Sequence, residues 1–200
     1  MSIGGLDSST LLQRMVDAVE QVRQRLVLAS TALRSAGIEY AVVGGNAVAA
    51  WVATVDRAAV RNTQDVDIMI RRADFDRARA ALEAAGFVHR RARNLDIFLD
   101  DAMGSARQAV HLVFAGEVVK SGEPAANPDV AESTDVGGSE GFRVLNLDAL
   151  VRIKLTAFRD KDRTHLRDLI EVGLVDQSWT AVLPAPLAER LQSLLDTPDG

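Results

Sequence analysis

The chain contains no cysteine. A disulfide framework and a zinc site built on thiolates are therefore excluded, and the composition fits a reducing cytoplasm. Long apolar runs are also missing: the longest, YAVVGGNAVAAWVATV, is interrupted by two glycines and by Asn46, whereas a membrane-spanning helix needs about 20 apolar residues in succession. No secretory signal pattern precedes this run. We therefore expect a soluble, cytoplasmic protein with no membrane contact.

An excess of positive charge is absent as well. Lysine and arginine number 23 against 28 aspartates and glutamates, a formal net charge of -5. This balance argues against broad, nonspecific binding to nucleic acid, although a local basic patch is compatible with it. The 200 residues are 48% hydrophobic and 26% charged, proportions typical of an ordinary globular domain.

The spacing of apolar residues predicts an α/β (α+β) fold. Helical periodicity from Thr10 to about Ala36 predicts an entry helix that Gly37 caps, and ADFDRARAALEAAGF predicts another that ends at Gly86. Short β-rich runs predict strands at IEYAVV, DVDIMI, LDIFL and AVHLVFA, the last two joined by a turn near Gly104. We expect a small mixed sheet with flanking helices and three C-terminal helices. The expected organisation is an N-terminal helix in 1–36, a core in 37–120, a Pro/Gly-rich loop in 121–141 and a C-terminal helical segment in 142–200.

Two carboxylates stand one residue apart in RNTQDVDIMI, residues 61–70. Strand side chains alternate faces, so Asp65 and Asp67 share a face, with their oxygens about 6–7 Å apart along the backbone. Strands tolerate aspartate poorly, and like charges on one face repel each other. Two interpretations are open: both carboxylates are solvated at the exposed end of an edge strand, or they hold a hard cation such as Mg²⁺.

A Gly-Gly turn, Gly44 and Gly45, connects the first predicted strand to a helix for which Asn46 is the expected N-cap. Such a turn lets backbone N–H groups approach a phosphate at the positive end of a helix, but it can also serve backbone conformation alone. The turn is not a P-loop, because no Gly-Lys-Ser/Thr follows, and its glycine spacing is not that of a dinucleotide fingerprint. A hydride-transfer enzyme is therefore disfavoured.

The turn and the paired aspartates are consecutive features, separated by a segment that contains Arg61 and Thr63. A phosphate cradle beside a divalent-metal site is what transfer of a nucleotidyl group from a nucleoside triphosphate (NTP) requires. The metal neutralises the triphosphate and activates the incoming hydroxyl, while the turn orients the phosphates. Together the two features predict NTP chemistry with Mg²⁺ or Mn²⁺.

The segments VVGGNAVAAWVA and RNTQDVDIMI resemble the first motif of the DNA polymerase β-like nucleotidyltransferase superfamily, in the minimal bacterial branch that includes the AbiEii-type toxins. LVRIKLTAFRDKDRTHLRDLIEVGLV is similar to a Lys-Leu…Arg-x-Lys-Asp…Asp segment of that branch, and the resemblance covers roughly residues 38–175. It implies a nucleotidyltransferase fold, a metal site at Asp65 and Asp67, and phosphate contacts at the two glycines. It also implies that the nucleotide or acceptor site is bordered by Lys154, Arg159, Lys161 and Asp162. The nucleotide-binding residues that we predict are thus Gly44, Gly45, Asn46, Arg61, Thr63, Lys154, Arg159, Lys161 and Asp162.

The chain departs from this superfamily at AVHLVFAGE, where such enzymes usually carry a third carboxylate that helps to hold the metal and acts as a base. Here His111 takes that position. A strand histidine is often only a hydrogen-bonded structural residue, yet an imidazole that faces two aspartates can accept a proton. Four carboxylates nearby in the sequence are alternative replacements: Asp96, Asp100, Asp101 and Glu117.

The C-terminal charges have a simpler interpretation as well. The charged and polar residues from Lys154 to Asp168 have the spacing of a solvated helix face with i,i+3 and i,i+4 pairs, each worth about 0.3–0.5 kcal/mol. Trp51 and Trp179 are expected to be packing residues.

We predict a Mg²⁺-dependent nucleotidyltransferase that uses Asp65, Asp67 and His111 to move a nucleoside monophosphate onto a hydroxyl of a protein, an RNA or a small molecule. The resemblance implies that it can be the toxin of a toxin–antitoxin pair, with an antitoxin protein as partner. The alternative is a catalytically degenerate module of the same fold that binds nucleotide or protein. A third interpretation, an antibiotic-modifying transferase, uses the same chemistry on a small acceptor.

Overall fold

The computed structural model describes residues 8–92, 95–101, 103–105, 108–136 and 141–198. The helices in these ranges that are longer than five residues are α1 (Ser8–Ser35), α2 (Gly44–Val52), α3 (Phe75–Ala84), α4 (Leu147–Ala157), α5 (Asp160–Glu171) and α6 (Ala185–Asp196). The strands are β1 (Tyr40–Val43), β2 (Val66–Ile70), β3 (Val88–Ala92), β4 (Leu95–Leu99), β5 (Val110–Phe114), β6 (Ser133–Asp135) and β7 (Arg143–Leu145).

The seven strands form one mixed sheet in the order β3-β4-β5-β2-β1-β7-β6. β1 runs antiparallel to β2 and pairs Val43 with Asp67. β2 runs parallel to β5 and pairs Asp67 with His111, which in turn faces Ile97 on β4. Because paired residues on neighbouring strands point to the same face, these four side chains form one row across the middle of the sheet.

The core lies between the central strands and the helices. All four residues of β1 are buried, as expected for a central strand made of apolar residues. α1 packs on α3 and the central strands, whereas α2 packs on β1, β2 and α5. α4 packs on α2, α5 and α6. This arrangement holds α5 beside the point where β1 ends and β2 begins.

The mixed sheet, its flanking helices and the three C-terminal helices confirm the predicted fold class. Three strands, β3, β6 and β7, were not predicted. β6 lies within the expected loop 121–141 and β7 lies within the segment expected to be helical, while residues 102, 106, 107 and 137–140 lie outside the described part of the chain. The division into domains stays a prediction.

Two expectations about side chains have clear outcomes. Asn46 is not the N-cap of α2: the helix already begins at Gly44, with Val43 as N-cap, and the Asn46 amide instead donates to the Asp65 carbonyl oxygen at 2.8 Å. Trp51 is a packing residue, as predicted, since it lies against the core and its indole N–H donates to the Leu145 carbonyl oxygen at 3.0 Å.

Among the described helices, none has the length and the apolar character that crossing a membrane would require.

Candidate functional site

The paired aspartates and His111 meet where β2 and β5 begin. The Nδ1 atom of His111 lies 3.3 Å from Oδ1 of Asp67 and 3.9 Å from Oδ2 of Asp65. One ligand atom from each of the three residues lies within 4.8 Å of the other two. The side chains are 15% to 24% exposed, so the interpretation as solvated carboxylates of an edge strand is wrong, and β2 is a central strand.

Two hydrogen bonds position Asp65, one to its side chain and one to its main chain. The Thr63 hydroxyl donates to Oδ1 of Asp65 at 2.6 Å, which leaves Oδ2 as the oxygen nearer His111. The amide of Asn46 holds the Asp65 main chain. Thr63 and Asn46 therefore orient the first carboxylate from the segment before β2 and from the first turn of α2.

The two glycines are needed because the aspartate segment lies directly against them. A Cβ atom on Gly44 would lie 2.0 Å from Oδ2 of Asp67, and Gly44 has a φ of +68°, which disfavours any residue with a side chain. A Cβ atom on Gly45 would lie 2.9 Å from Cβ of Thr63. Steric contact alone therefore explains why positions 44 and 45 are glycine, without any role in phosphate binding. The two glycines also bring the start of α2 close to the carboxylates.

The positively charged side chain of Lys161, near the N-terminus of α5, approaches the carboxylates from the side of that helix. Its Nζ lies 3.8 Å from Oδ2 of Asp65, and its side chain is 49% exposed. The Lys161 side chain is therefore half exposed, and its ammonium group can move toward an anion that binds beside the aspartates.

A second group of polar side chains, centred on one buried ion pair, lies between α4 and α5. Lys154 donates to Oδ1 of Asp162 at 3.1 Å, and these side chains are 5% and 1% exposed. Arg159 donates from Nε to the other oxygen of Asp162 at 2.7 Å. His165 completes the set, with Nδ1 at 3.0 Å from the Lys154 ammonium. The solvated-face interpretation is therefore wrong for Lys154 and Asp162.

These contacts set the charges of the site. Burial raises the pKa of Asp67, but the hydrogen bond with His111 and the charges of Lys161 and Lys154 outweigh it, so the pKa lies below the usual value. Burial also lowers the pKa of Lys154, and Asp162 opposes that effect.

His165 is neutral in the folded protein. Burial and the charge of Lys154 lower its pKa to about 4. Because the Lys154 ammonium can only donate, Nδ1 of His165 accepts, and the ring proton is on Nε2.

Arg61 and Asp168 form an ion pair from the segment before β2 to α5. Arg61 Nε lies 2.7 Å from Oδ1 of Asp168; the Asp168 side chain is buried, and the Arg61 side chain is 63% exposed. No role in the site was predicted for Asp168 or His165. Their spacing of seven and four residues from Lys161 places all three on one side of α5, and that pattern was the available signal.

Two cavities flank the carboxylates, and Lys161 lines both of them. The larger, of about 380 Å³, lies beside Gly44, Asp67 and His111, and further lining residues include Arg72, Lys154, Arg159 and Asp162. The smaller, of about 260 Å³, lies between α2 and α5 beside Gly45 and Asp65, and its other polar lining residues are Arg61, Asn62, Thr63, Thr164, His165 and Asp168. The arrangement provides space for two different ligands on the two sides of the aspartates.

The four alternative carboxylates do not replace His111. Asp96 is next to Ile97 in β4, so its side chain lies on the opposite face of the sheet. Its Oδ1 atom lies 2.9 Å from Nε2 of His89. The other three are paired with other groups: Asp100 with Arg25, Asp101 with the Met103 main chain, and Glu117, which lines the larger cavity, with Arg72.

Comparison with solved structures gives a fold likeness. A crystal structure of an antigenic nucleotidyltransferase-like protein from Paracoccidioides brasiliensis matches with 15% identity and a TM-score of 0.53, covering 91% of each chain. Weaker matches are a solution structure of the antibiotic-resistance factor ANT(2″)-Ia, with 13% identity, a TM-score of 0.42 and coverage of 92% of this chain and 84% of that one, and a crystal structure of ANT(2″)-Ia with adenylyl-2″-tobramycin, with 14% identity, a TM-score of 0.45 and 88% coverage of each.

At these identities the likeness concerns the fold alone, and the first match shows a nucleotidyltransferase-like fold. A search among curated proteins found no match. The sequence model of a family described as uncharacterised nucleotidyltransferases matches residues 9–175. The match spans most of the chain, and the protein belongs to this nucleotidyltransferase family.

Proposed function

We propose that the protein transfers a nucleoside monophosphate from an NTP to a hydroxyl group of an acceptor, with a divalent cation held at Asp65 and Asp67. The observation that carries this proposal is the meeting of Asp65, Asp67 and His111 within 4.8 Å, directly beside the glycine turn that opens α2. The donor set fits a divalent cation, because two carboxylates and an imidazole offer three ligand atoms close enough to share one ion. Membership of a nucleotidyltransferase family supports the reaction class.

In this reaction the acceptor hydroxyl oxygen bonds to the α-phosphorus of the NTP, and the bond from that phosphorus to the bridging oxygen of the β-phosphate breaks. Pyrophosphate leaves, and the hydroxyl proton passes to a base or to water. The bound cation would neutralise phosphate charge and lower the pKa of the attacking hydroxyl. Asp65 and Asp67 hold their orientation through Thr63, Asn46 and the register of β2. His111 completes the group, either as the proton acceptor or as a third ligand.

The residues proposed for phosphate binding lie around the group formed by Asp65, Asp67 and His111. The first N–H groups of a helix have no partner within the helix and favour anions, and Gly44 and Gly45 begin α2. Lys161 and Arg61 add positive charge that is open to solvent. Lys154, Arg159 and Asp162 act differently: the buried pair of Lys154 and Asp162 joins α4 to α5, the half-exposed Arg159 binds the same carboxylate, and together they position Lys161.

The two cavities could hold one ligand each, the NTP on one side of the carboxylates and the acceptor on the other. The acceptor is proposed to be a protein, an RNA or a small molecule. The AbiEii-like subtype, the toxin role and an antitoxin partner stay predictions, as does a cytoplasmic location. The rival proposal, a degenerate module, rests on the absence of a carboxylate at position 111.

The test is incubation of the purified chain with each NTP labelled on the α-phosphate, a divalent cation and three acceptor pools: the protein itself, total RNA and a panel of hydroxyl-bearing small molecules. Label should enter one pool only when cation is present. An Asp65→Asn/Asp67→Asn variant should lose both transfer and the cation-dependent part of NTP binding while it unfolds at the wild-type temperature. A matched control, Asp17→Asn/Asp135→Asn, removes two exposed carboxylates and should behave as wild type. NTP binding without transfer in every pool would favour the degenerate module.

A further inference from the structure

The geometry around His111 distinguishes between its two candidate roles. Nδ1 is the ring atom that lies near both carboxylates, at 3.3 Å from Asp67 and 3.9 Å from Asp65. Ligand atoms that are each about 2.1 Å from one ion and at right angles to each other are about 3 Å apart, and a wider angle increases this separation. Both separations from Nδ1 lie between this value and the distance of about 4.2 Å between opposite ligands, so Nδ1 can share one ion with either carboxylate.

The sheet holds this arrangement in place. Asp67 and His111 are paired residues on adjacent strands, so the approach of their side chains is set by the register and not by a flexible loop. On the same row, the neighbouring positions carry Val43 and Ile97, which offer no ligand. A nitrogen atom that ligates a cation cannot accept a proton at the same time, so ligation through Nδ1 replaces the base role for that atom.

We propose that His111 is the third ligand of the cation at Asp65 and Asp67, and that this donor set selects Mn²⁺ or another first-row transition-metal ion over Mg²⁺. The inference rests on the proposed function for the presence of a cation and goes further by naming the class of ion. Mg²⁺ takes oxygen ligands and sheds water reluctantly, whereas imidazole nitrogen suits transition metals and carboxylate oxygen also suits Mn²⁺. A site with three carboxylates would not make this distinction as strongly.

The test uses the metal alone, with no nucleotide. Mn²⁺ is added to the purified chain, and pulsed electron paramagnetic resonance detects whether a nitrogen nucleus is coupled to the bound ion. The chain has three histidines, so variants assign the signal: His111→Asp should lose nitrogen coupling but still bind Mn²⁺, and His89→Gln, which changes a histidine that contacts Asp96, should keep it. Calorimetric titration should show the ratio of Mn²⁺ to Mg²⁺ affinity falling by about tenfold or more in His111→Asp, since even outer partners of metal ligands are worth 10–100-fold.

Other results overturn the inference in distinguishable ways. Bound Mn²⁺ without nitrogen coupling, or an unchanged affinity ratio in His111→Asp, would remove His111 from the ligand set and leave the cation site at Asp65 and Asp67, and with it the proposed function, intact. Equal Mn²⁺ binding by wild type and Asp65→Asn/Asp67→Asn would overturn the inference and the cation site of the proposed function together. Thermal unfolding of each variant shows whether a lost signal reflects a lost fold.

Discussion

A Cβ atom on Gly44 would lie 2.0 Å from Oδ2 of Asp67. The other oxygen of this carboxylate, Oδ1, is the one that lies near His111. The glycine turn and the paired aspartates are therefore one interlocking unit, in which the missing side chain at position 44 makes room for one carboxylate oxygen while the other faces the imidazole.

The first prediction compares two glycines that share a left-handed backbone. Gly44→Ala should disrupt both the fold near the site and cation binding, because the new Cβ would strike Asp67. Gly37→Ala is the matched control: Gly37 has a φ of +63°, but no atom lies within 4 Å of its Cβ position. It should cost only the backbone penalty, about 1–2 kcal/mol, and leave cation binding unchanged. Urea unfolding and Mn²⁺ titration measure the two effects; equal losses in both variants would show that the contact with Asp67 is unimportant.

The second prediction concerns the buried pair of Lys154 and Asp162. Asp162→Ala leaves a buried ammonium without its carboxylate, and breaking a buried ion pair in this way typically costs about 3–5 kcal/mol. Glu83→Ala is the control, since its ion pair with Arg79 is exposed on both sides and exposed pairs contribute at most about 1 kcal/mol. Chemical unfolding of both variants should show the large difference. A loss below about 1 kcal/mol in Asp162→Ala would mean that water or another group takes over the carboxylate's role.

The sequence was informative where the apolar pattern is strong. β1 is a continuous apolar run, β2 is apolar apart from Asp67, and α3 has clear helical spacing, so their positions were predicted. β6 and β7 were missed because each has three residues, and strands this short depend on pairing with distant parts of the chain. β3, with the sequence VHRRA, is polar because it lies at the edge of the sheet.

The candidate site shows the same limit. The spacing of Asp65 and Asp67 could be read directly, because it depends on local strand geometry alone. The burial of Lys154 could not, because charges at helical spacing look the same on a solvated face and in an interface between two helices. The contact between Gly44 and Asp67 also joins distant positions, so the sequence suggested a phosphate role for this glycine and not its steric one.

The third prediction tests the phosphate role of Lys161. Lys161→Gln should weaken NTP binding and leave nucleoside binding almost unchanged, because a nucleoside has no phosphate charge. The half-exposed side chain should tolerate the change without loss of stability. Arg79→Gln, which removes one positive charge from α3, serves as the control and should affect neither ligand. If Lys161→Gln weakens both ligands equally, Lys161 acts on the shape of the cavity and not on phosphate.

The fourth prediction follows from the neutral His165. Its pKa is lowered from 6.5 to about 4 in the folded protein, so between these pH values the unfolded chain binds a proton that the folded chain does not. Proton binding then favours unfolding, so the free energy of unfolding should fall as the pH falls through this window. The slope due to His165 should stay below the limit of about 1.4 kcal/mol per pH unit, because the ring is only partly buried. In His165→Gln, unfolding measured from pH 7 to pH 4 should depend less steeply on pH. An unchanged slope would mean that other groups account for it.

The last prediction concerns the metal dependence of transfer. If His111 ligates the cation, wild type should turn over faster with Mn²⁺ than with Mg²⁺, and His111→Asp should shift the preference toward Mg²⁺, because the replacement provides the oxygen ligand that this ion favours. His111→Ala should lose turnover, and excess Mn²⁺ should restore part of it, since the loss is one of cation affinity.

A base role for His111 predicts a different pattern in the same assay. Removing a general base lowers turnover by about 10²–10⁴-fold, and no concentration of Mn²⁺ would restore it, because the missing step is a proton transfer. If wild type shows no turnover with either ion and His111→Asp alone is active, the chain is a degenerate module in which one substitution rebuilds a three-carboxylate site. Measuring nucleotide incorporation by the three proteins across a range of Mn²⁺ and Mg²⁺ concentrations therefore separates a ligand, a base and a lost function by the shape of the metal dependence.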